Sequence, residues 1–382
     1  MRIAIVTGFF LPVPAIRGGA SEKAWHGLAK IFAAKGHDVT FVSRIVPGLA
    51  ASERVDNVLQ IRIPGFDHTR WLPVNLLLDL IWGIRAARVL PPGDAVICNS
   101  VTLPVWLGQF HRAAGRVAVM MGRVPKGQVR FYRNVARIYA PSAAVARRIK
   151  SRWATDRTRI MGYPIDWPLH SGASAQSGSP VTIGFVGRLH PEKGISVLIK
   201  AARRLATRAD LPEWRLQIVG PGSIAEGGGG DIWMAALKKE AAPLGGRVEW
   251  LGPEFDPVRL ASLFGGMDIF CYPSLAKQGE TFGVAVAEAM AARCAVVVSG
   301  LACFSELVAD GQTGLVFDHT AEAPDENLAD CLGRLIMDVG LREGLASRGH
   351  QHSRKFDYSE VAEFILDDLA HVTRTPLKDR TI

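Results

Sequence analysis

VTIGFVGRLHPEKGISVLIKAARRLATR, residues 181–208, carries three signals in a row. VTIGFV is a near-continuous apolar run, as expected of a strand covered on both faces of a parallel sheet. GRLHPEKG is a glycine-bounded basic loop, and Ile195–Arg208 then places apolar residues at helical spacing. RLQIVG follows as the next strand. Strand, loop, helix, strand is a βαβ unit, so a doubly wound α/β domain begins near Val181. Strands near 247–250, 268–272, 295–299 and 314–317 continue it, and about 322–372 reads as helical.

The chain opens on the same pattern. RIAIVT (2–7) predicts a buried first strand, and GFFLPVPAIRGG a loop. Ala20–Lys35 predicts a helix with Ala24, Leu28, Ile31 and Phe32 on its apolar face, Gly36 its stop, and DVTFVS a second strand. Further strands are expected at 58–63, 95–98, 116–120 and 137–140, and one helix over Ser142–Arg152 with Ser142 as N-cap. The apolar start has no charged leader region, so it reads as a strand and not as a signal peptide. Between the two patterns lies SGASAQSGSP, residues 171–180, a linker composition. The expected organisation is therefore a Rossmann-like domain over 1–170, a linker at 171–180, and a second Rossmann-like domain over 181–355. A helix and tail over 356–382 would pack back on the first domain. Ligands of such folds bind at the carboxyl edge of the sheet, here in a cleft between the domains.

Charge is unevenly distributed. Residues 1–170 hold 24 Lys and Arg against 9 Asp and Glu, a net +15; the remainder holds 21 against 27, a net −6. A basic first half points to an anionic partner. Without a helix-turn-helix or an aromatic-basic platform, nucleic acid is not that partner. Trp71–Ile84 is the longest apolar stretch, interrupted by Asn75 and Asp79. It is too short and too polar to span ~30 Å of hydrocarbon, and reads as a core helix or a helix lying in a membrane interface. Five scattered cysteines without CxxC spacing suggest a reduced, cytoplasmic protein without structural zinc.

Gly18 and Gly19 precede the first helix, where backbone N–H groups and the helix dipole could meet a phosphate. Arg188 and Lys193 lie in the loop after the second domain's first strand; a guanidinium fork and a mobile ammonium suit a diphosphate. Glu280 and Glu288 fall on a loop and on the helix that starts near Gly283. Phe282, Gly283 and Val284 would offer N–H groups to an anion, and the two carboxylates would grip hydroxyls. There is no GxGxxG, no P-loop and no Asp-x-Asp.

GRLHPEKG, QIVGPG, DIFCYPS, ETFGVAVAEAM and SELVADGQTGLVF, in this order and spacing, resemble the family-4 retaining glycosyltransferases of the GT-B fold. RGGASEKAWHGLAKIFAAKGHDVTFVS, IYAPSAAVARRIK and YPID extend the resemblance over nearly the whole chain. The resemblance implies a GT-B fold and a metal-independent, cofactor-free transfer of a sugar from a UDP- or GDP-sugar to a glycan or lipid-linked acceptor. The setting would be the cytoplasm, at the inner face of a membrane whose anionic surface the basic half meets. Gly19, with Gly18, would contact the donor phosphate, and Arg188 and Lys193 would neutralise the diphosphate. Glu280 would hold donor-sugar hydroxyls, Phe282, Gly283 and Val284 would give backbone N–H groups, and Glu288 would bind the ribose. Many relatives carry a His at a strand end in the first domain, where this chain has Met121. Arg123 and Lys126 follow as acceptor-side candidates. A sugar-nucleotide epimerase or phosphorylase, or a catalytically weak glycan-binding protein, are the alternatives on this fold.

Overall fold

The computed structural model describes residues 1–15, 19–149, 152–172, 180–276 and 279–374. The chain forms two compact units: Met1–Pro164 together with Tyr358–Ile382, and Ile165–Asp357.

The first unit is built on an eight-stranded sheet. Its strands are β1 Arg2–Val6, β2 Asp38–Arg44, β3 Ser52–Val55, β4 Val58–Ile63, β5 Ala95–Cys98, β6 Arg116–Met120, β7 Arg137–Ala140 and β8 Thr158–Ile160. They lie in the order β3-β4-β2-β1-β5-β6-β7-β8. All neighbours are parallel except β3 and β4, a hairpin closed by Asp56 and Asn57, both at positive φ. β2 and β5 flank β1, so the order reverses direction there, and the carboxyl ends of β1 and β5 open a crevice of the kind that binds ligands. The helix Ala20–Ala34 buries Ala24, Leu28 and Phe32 of the expected stripe; Ile31 is only half-buried, and Trp25, which the spacing did not mark, is buried with them.

The last helix, Tyr358–Arg374, belongs to this unit. The Tyr358 ring fills the space beside Gly27, where a side chain would not fit. Asp368 receives Arg137 Nε through both oxygens at 2.8 and 2.9 Å and Tyr139 Oη at 3.0 Å. Arg137 and Asp368 are about one-tenth exposed, so neither charge is left to solvent.

The second unit has six parallel strands: β9 Val181–Val186, β10 Trp214–Val219, β11 Val248–Gly252, β12 Ile269–Tyr272, β13 Ala295–Ser299 and β14 Leu315–Phe317. The order is β11-β10-β9-β12-β13-β14, and the reversal falls at β9. Every residue of β9, β12 and β13 is buried, which is what their unbroken apolar runs require.

Three features differ from the sequence expectation. The seam falls at Pro164/Ile165, ahead of the 171–180 stretch, of which 173–179 lie outside the described residues. Residues 165–172 join the second unit because the Trp167 ring lies tilted against His350 (4.8 Å) and His170 meets Phe264 edge-on (5.6 Å). The helix expected over Ser142–Arg152 is two short ones, Ala143–Ala146 and Arg152–Thr155. Ser142 does cap the first, its Oγ accepting from Val145 N. Finally, Trp71–Ile84 does not form a core helix. It belongs to the helix Leu72–Val89, whose buried stripe holds Asn75, Asp79, Trp82 and Ala86 while most of its large apolar side chains face outward.

Candidate active site

The second unit's site forms where β9 and β12 end. After β9 the chain makes a 3₁₀ turn, Pro191–Lys193, entered through His190, whose ring nitrogen accepts from Glu192 N. Gly194 then turns the chain at φ +70° into the helix Ile195–Ala206, and a Cβ there would collide with the Pro273 carbonyl oxygen. The loop after β12 is tied to this turn by Leu275 N donating to Glu192 O at 2.7 Å. Ser299 Oγ holds the Ser274 carbonyl at 2.6 Å. Two loops distant in sequence are thus fixed against each other, and their side chains meet. Lys193 Nζ lies 2.7 Å from Glu280 Oε2, and Ser274 Oγ donates to the same oxygen at 3.1 Å. The Lys193 and Glu280 side chains are only 9% and 10% exposed.

Burial by itself would depress the Lys193 pKa, yet Tyr272 and Glu280 beside it hold it well above the ordinary lysine value. The ammonium is therefore charged throughout the neutral range. Burial, and then Glu280, push the Tyr272 phenol up, so it stays protonated. A fixed cation at the carboxyl edge of the sheet, with a carboxylate beside it, can bind a polyhydroxylated anion at both of its chemical faces.

Arg188 does not join this pair. Its Nη2 lies 2.9 Å from Glu192 Oε1, its Nη1 donates to Gly227 O at 2.8 Å, and its side chain is half exposed. Gly283, at φ +101°, caps the eight-residue helix Val284–Ala291, and a Cβ there would stand 2.7 Å from the Phe304 ring. The Phe282 side chain is buried, edge-on to Phe356 at 5.0 Å, so only its backbone is available to a ligand. Glu288 is buried on the same helix with Oε1 3.7 Å from His170 Nε2. That answers the difficulty of a carboxylate on an apolar helix with a nearby imidazole. Among the described residues no three His, Cys, Asp or Glu side chains converge as a metal site would require.

In the first unit, Gly18 lies outside the described residues, and Gly19 precedes the helix Ala20–Ala34 at φ +109°. The Glu22 carboxylate covers Gly19, leaving no room for a side chain there. Ser21 Oγ and Tyr163 Oη share a hydrogen bond of 3.1 Å, and both stand beside Gly122. Arg123 and Lys126 are exposed on the following loop. Met121 is 3% exposed and belongs to the core with Cys98, Val119 and Tyr132, so this strand end carries no titratable group.

Sequence reasoning missed Ser274, Glu22, Tyr163 and His170. Glu22 was legible: it lies three residues before Trp25 and seven before Ala29, on the buried stripe. The short helix Trp167–Ser171 offers no comparable signal for His170. Burial raises the Glu22 pKa, only partly opposed by its own backbone N–H and by Arg123. A raised carboxyl pKa means that the folded state keeps a proton the unfolded chain has lost. Stability from this group therefore grows as pH falls from neutral toward the ordinary glutamate value. Glu22→Gln is expected to raise the denaturation midpoint at neutral pH and to flatten its dependence down to about pH 5. A Gln variant that is less stable at neutral pH would show that the charged form is the one the fold favours.

Two parallel-sheet α/β units, one with a cation–carboxylate pair at its switch point, define the GT-B glycosyltransferase architecture. Sucrose-phosphate synthase of Thermosynechococcus elongatus superposes with a TM-score of 0.77 at 18% identity, over 97% of this chain and 99% of that one. Anabaena HepE in complex with UDP-glucose gives 0.69 at 20% identity, over 97% and 100%. A family model for glycosyl transferases group 1 matches residues 180–338. The phosphatidyl-myo-inositol mannosyltransferase of Mycobacterium leprae is 33% identical over 96% of this chain and 96% of its own length. The protein so named in Mycolicibacterium smegmatis is 33% identical over 186 residues, 48% of this chain; that match spans 44% of the relative, under half its length. The chain belongs to the group 1 glycosyltransferases.

Proposed function

We propose that this protein transfers a sugar from a UDP- or GDP-sugar to a glycan or lipid-linked acceptor, retaining the anomeric configuration and using no metal. The observation that carries the reading is the Lys193–Glu280 pair, buried at the carboxyl ends of β9 and β12. In the reaction, the bond between the anomeric carbon and the phosphate oxygen breaks, and its electrons leave with the nucleoside diphosphate. An acceptor hydroxyl forms the new bond from the same face, and its proton passes to the departing phosphate. Lys193, with Arg188, stabilises the charge that develops on the diphosphate. The N–H groups of Phe282, Gly283 and Val284 add the positive end of a helix. Glu280 orients the sugar through its hydroxyls, and Glu288 the ribose. Arg123 and Lys126 meet the acceptor.

Relatives whose names specify a mannosyl donor and an inositol phospholipid support a lipid-linked acceptor. The +15 of residues 1–170 supports an anionic one, held at the cytoplasmic face of a membrane. The test is a panel of UDP- and GDP-sugars scored by melting temperature. One donor is expected to stabilise the protein by mass action, and nucleotide release should then require an acceptor. No stabilisation by any donor would overturn the reading. Release of a free epimerised sugar nucleotide, or a requirement for inorganic phosphate, would replace it by an epimerase or a phosphorylase.

A further inference from the structure

The helix Leu72–Val89 is inside out. Asn75 and Asp79 are buried, while most of its large apolar side chains are in water: Trp71, just ahead of it, and Leu72 are 60% exposed, Leu77 57% and Ile84 40%, with Leu76 and Leu80 beside them. Positions 73, 77, 80 and 84 share one face of an α-helix, so these side chains form a strip and not a scatter. Monomeric proteins seldom leave a contiguous apolar strip uncovered without use.

The orientation is enforced. Asp79 is 4% exposed, and its Oδ2 accepts from Thr102 Oγ1 at 2.6 Å, Thr102 N at 2.7 Å and Ser100 Oγ at 2.9 Å. It thereby satisfies the start of the next helix, Leu103–Phe110. Asn75 Oδ1 accepts from Thr69 N at 2.9 Å, and its Nδ2 donates to Thr69 O at 2.7 Å. Rotating the helix to bury the leucines would strip Asp79 and Asn75 of these partners, at a cost that outweighs the apolar gain. Gly83 adds a third constraint, since it lies against Leu103 and Trp106, where a larger residue would press on both.

We propose that this face lies in the headgroup layer of an anionic lipid bilayer and docks the protein there. The charges select that occupant. Arg70, over the Trp71 ring at 5.3 Å, marks one end of the strip, and Arg85 and exposed Arg88 mark the other. The only acid between residues 68 and 93 is the buried Asp79. Residues 101–150 of the same unit add ten Lys and Arg and no acid. An apolar strip with a tryptophan at its end, flanked by cations, is the pattern of a helix lying in the membrane plane. The helix is about 27 Å long. Among the described residues no helix is long and apolar enough to cross a membrane, so the geometry is that of lying on and not of spanning.

The proposal rests on the lipid-linked acceptor of the preceding reading but is measured separately from donor binding. The experiment is co-sedimentation with vesicles of phosphatidylcholine alone or mixed with phosphatidylglycerol. The variants are Leu77→Ser with Leu80→Ser, which removes apolar surface without adding charge, and Arg70→Gln with Arg88→Gln. Wild type is expected to bind the mixed vesicles, less so as salt rises. The serine pair is expected to bind about tenfold or more weakly, with an unchanged melting temperature and an unchanged donor-induced melting shift. The glutamine pair is expected to bind the mixed vesicles more weakly than wild type at low salt, with a shallower salt dependence. Wild-type protein that binds neither vesicle, or a serine pair that binds as well as wild type, would overturn the proposal. So would a wild-type dimer that the serine pair dissociates, since the face would then belong to a second copy. Vesicle binding that follows this pattern in a protein no nucleotide-sugar stabilises would remove the transferase reading and leave the docking face standing.

Discussion

Lys193→Ala is expected to lower transfer about a thousandfold, the scale of losing one preorganised charge at a developing anion. It is also expected to destabilise the second unit by about 3–5 kcal/mol, because Glu280 would remain buried without its cation. A double-mutant cycle separates these effects. Glu280→Gln alone leaves Lys193 charged but unpaired, and should lower both transfer and stability. Combined with Lys193→Ala, it removes the stranded carboxylate, so most of the lost stability should return while transfer stays at the level of the lysine variant. Chemical denaturation and kcat/KM measured on the same four proteins give the result. If activity returned along with stability in the double variant, the pair would be a structural strut and not part of the site.

Gly194→Ala should have the second-largest effect. At φ +70° alanine alone costs about 1–2 kcal/mol. The added methyl also meets the Pro273 carbonyl, which belongs to the loop that carries Ser274 and leads to Glu280. Backbone cannot move aside as a flexible side chain would, so the two loops must separate. A loss of about 3 kcal/mol, with transfer reduced by about a hundredfold or more but less than in Lys193→Ala, is expected. Gly311→Ala is the internal control. Gly311 has nearly the same φ, +69°, but nothing within 4 Å of a Cβ. Its alanine variant should lose only the conformational cost and keep its activity. Equal losses at the two positions would mean that backbone preference, and not the meeting of the loops, governs Gly194.

What the sequence disclosed and what it withheld can be traced to distance along the chain. β5, β6 and β7 follow their expected bounds because each is a short apolar run stopped by a polar residue, glycine or proline within two residues of its end. The hairpin β3–β4 was missed although Asp56-Asn57 is a two-residue turn signal, because the mostly polar strand Ser52–Val55 has no apolar period to reveal it. In the second unit Lys193 and Glu280 were both legible as individual candidates, from a basic loop and from a carboxylate ahead of a helix. Their pairing was not, because 87 residues separate them and only the adjacency of β9 and β12 brings them together. Arg188 was grouped with Lys193 by nearness in sequence, whereas the turn hands it to Glu192. Of the two readings of the helix Leu72–Val89, the core helix fails for a related reason. Apolar content argued for burial, but Asp79 and Asn75 answer to groups at Ser100, Thr102 and Thr69 that no local pattern exposes.

The second unit is inserted between two segments of the first, and this has a consequence for biosynthesis. As the chain leaves the ribosome, Ile165–Asp357 is complete before the residues that finish its predecessor have been made. Until Tyr358–Arg374 emerges, Gly27 faces no tyrosine, and Arg137 and Tyr139 have no Asp368 to bind. The order of completion is therefore the reverse of the order of synthesis. A nascent chain cut short after the second unit would release that unit finished but attached to an unfinished partner, with two polar groups and an apolar helix face left open to quality control.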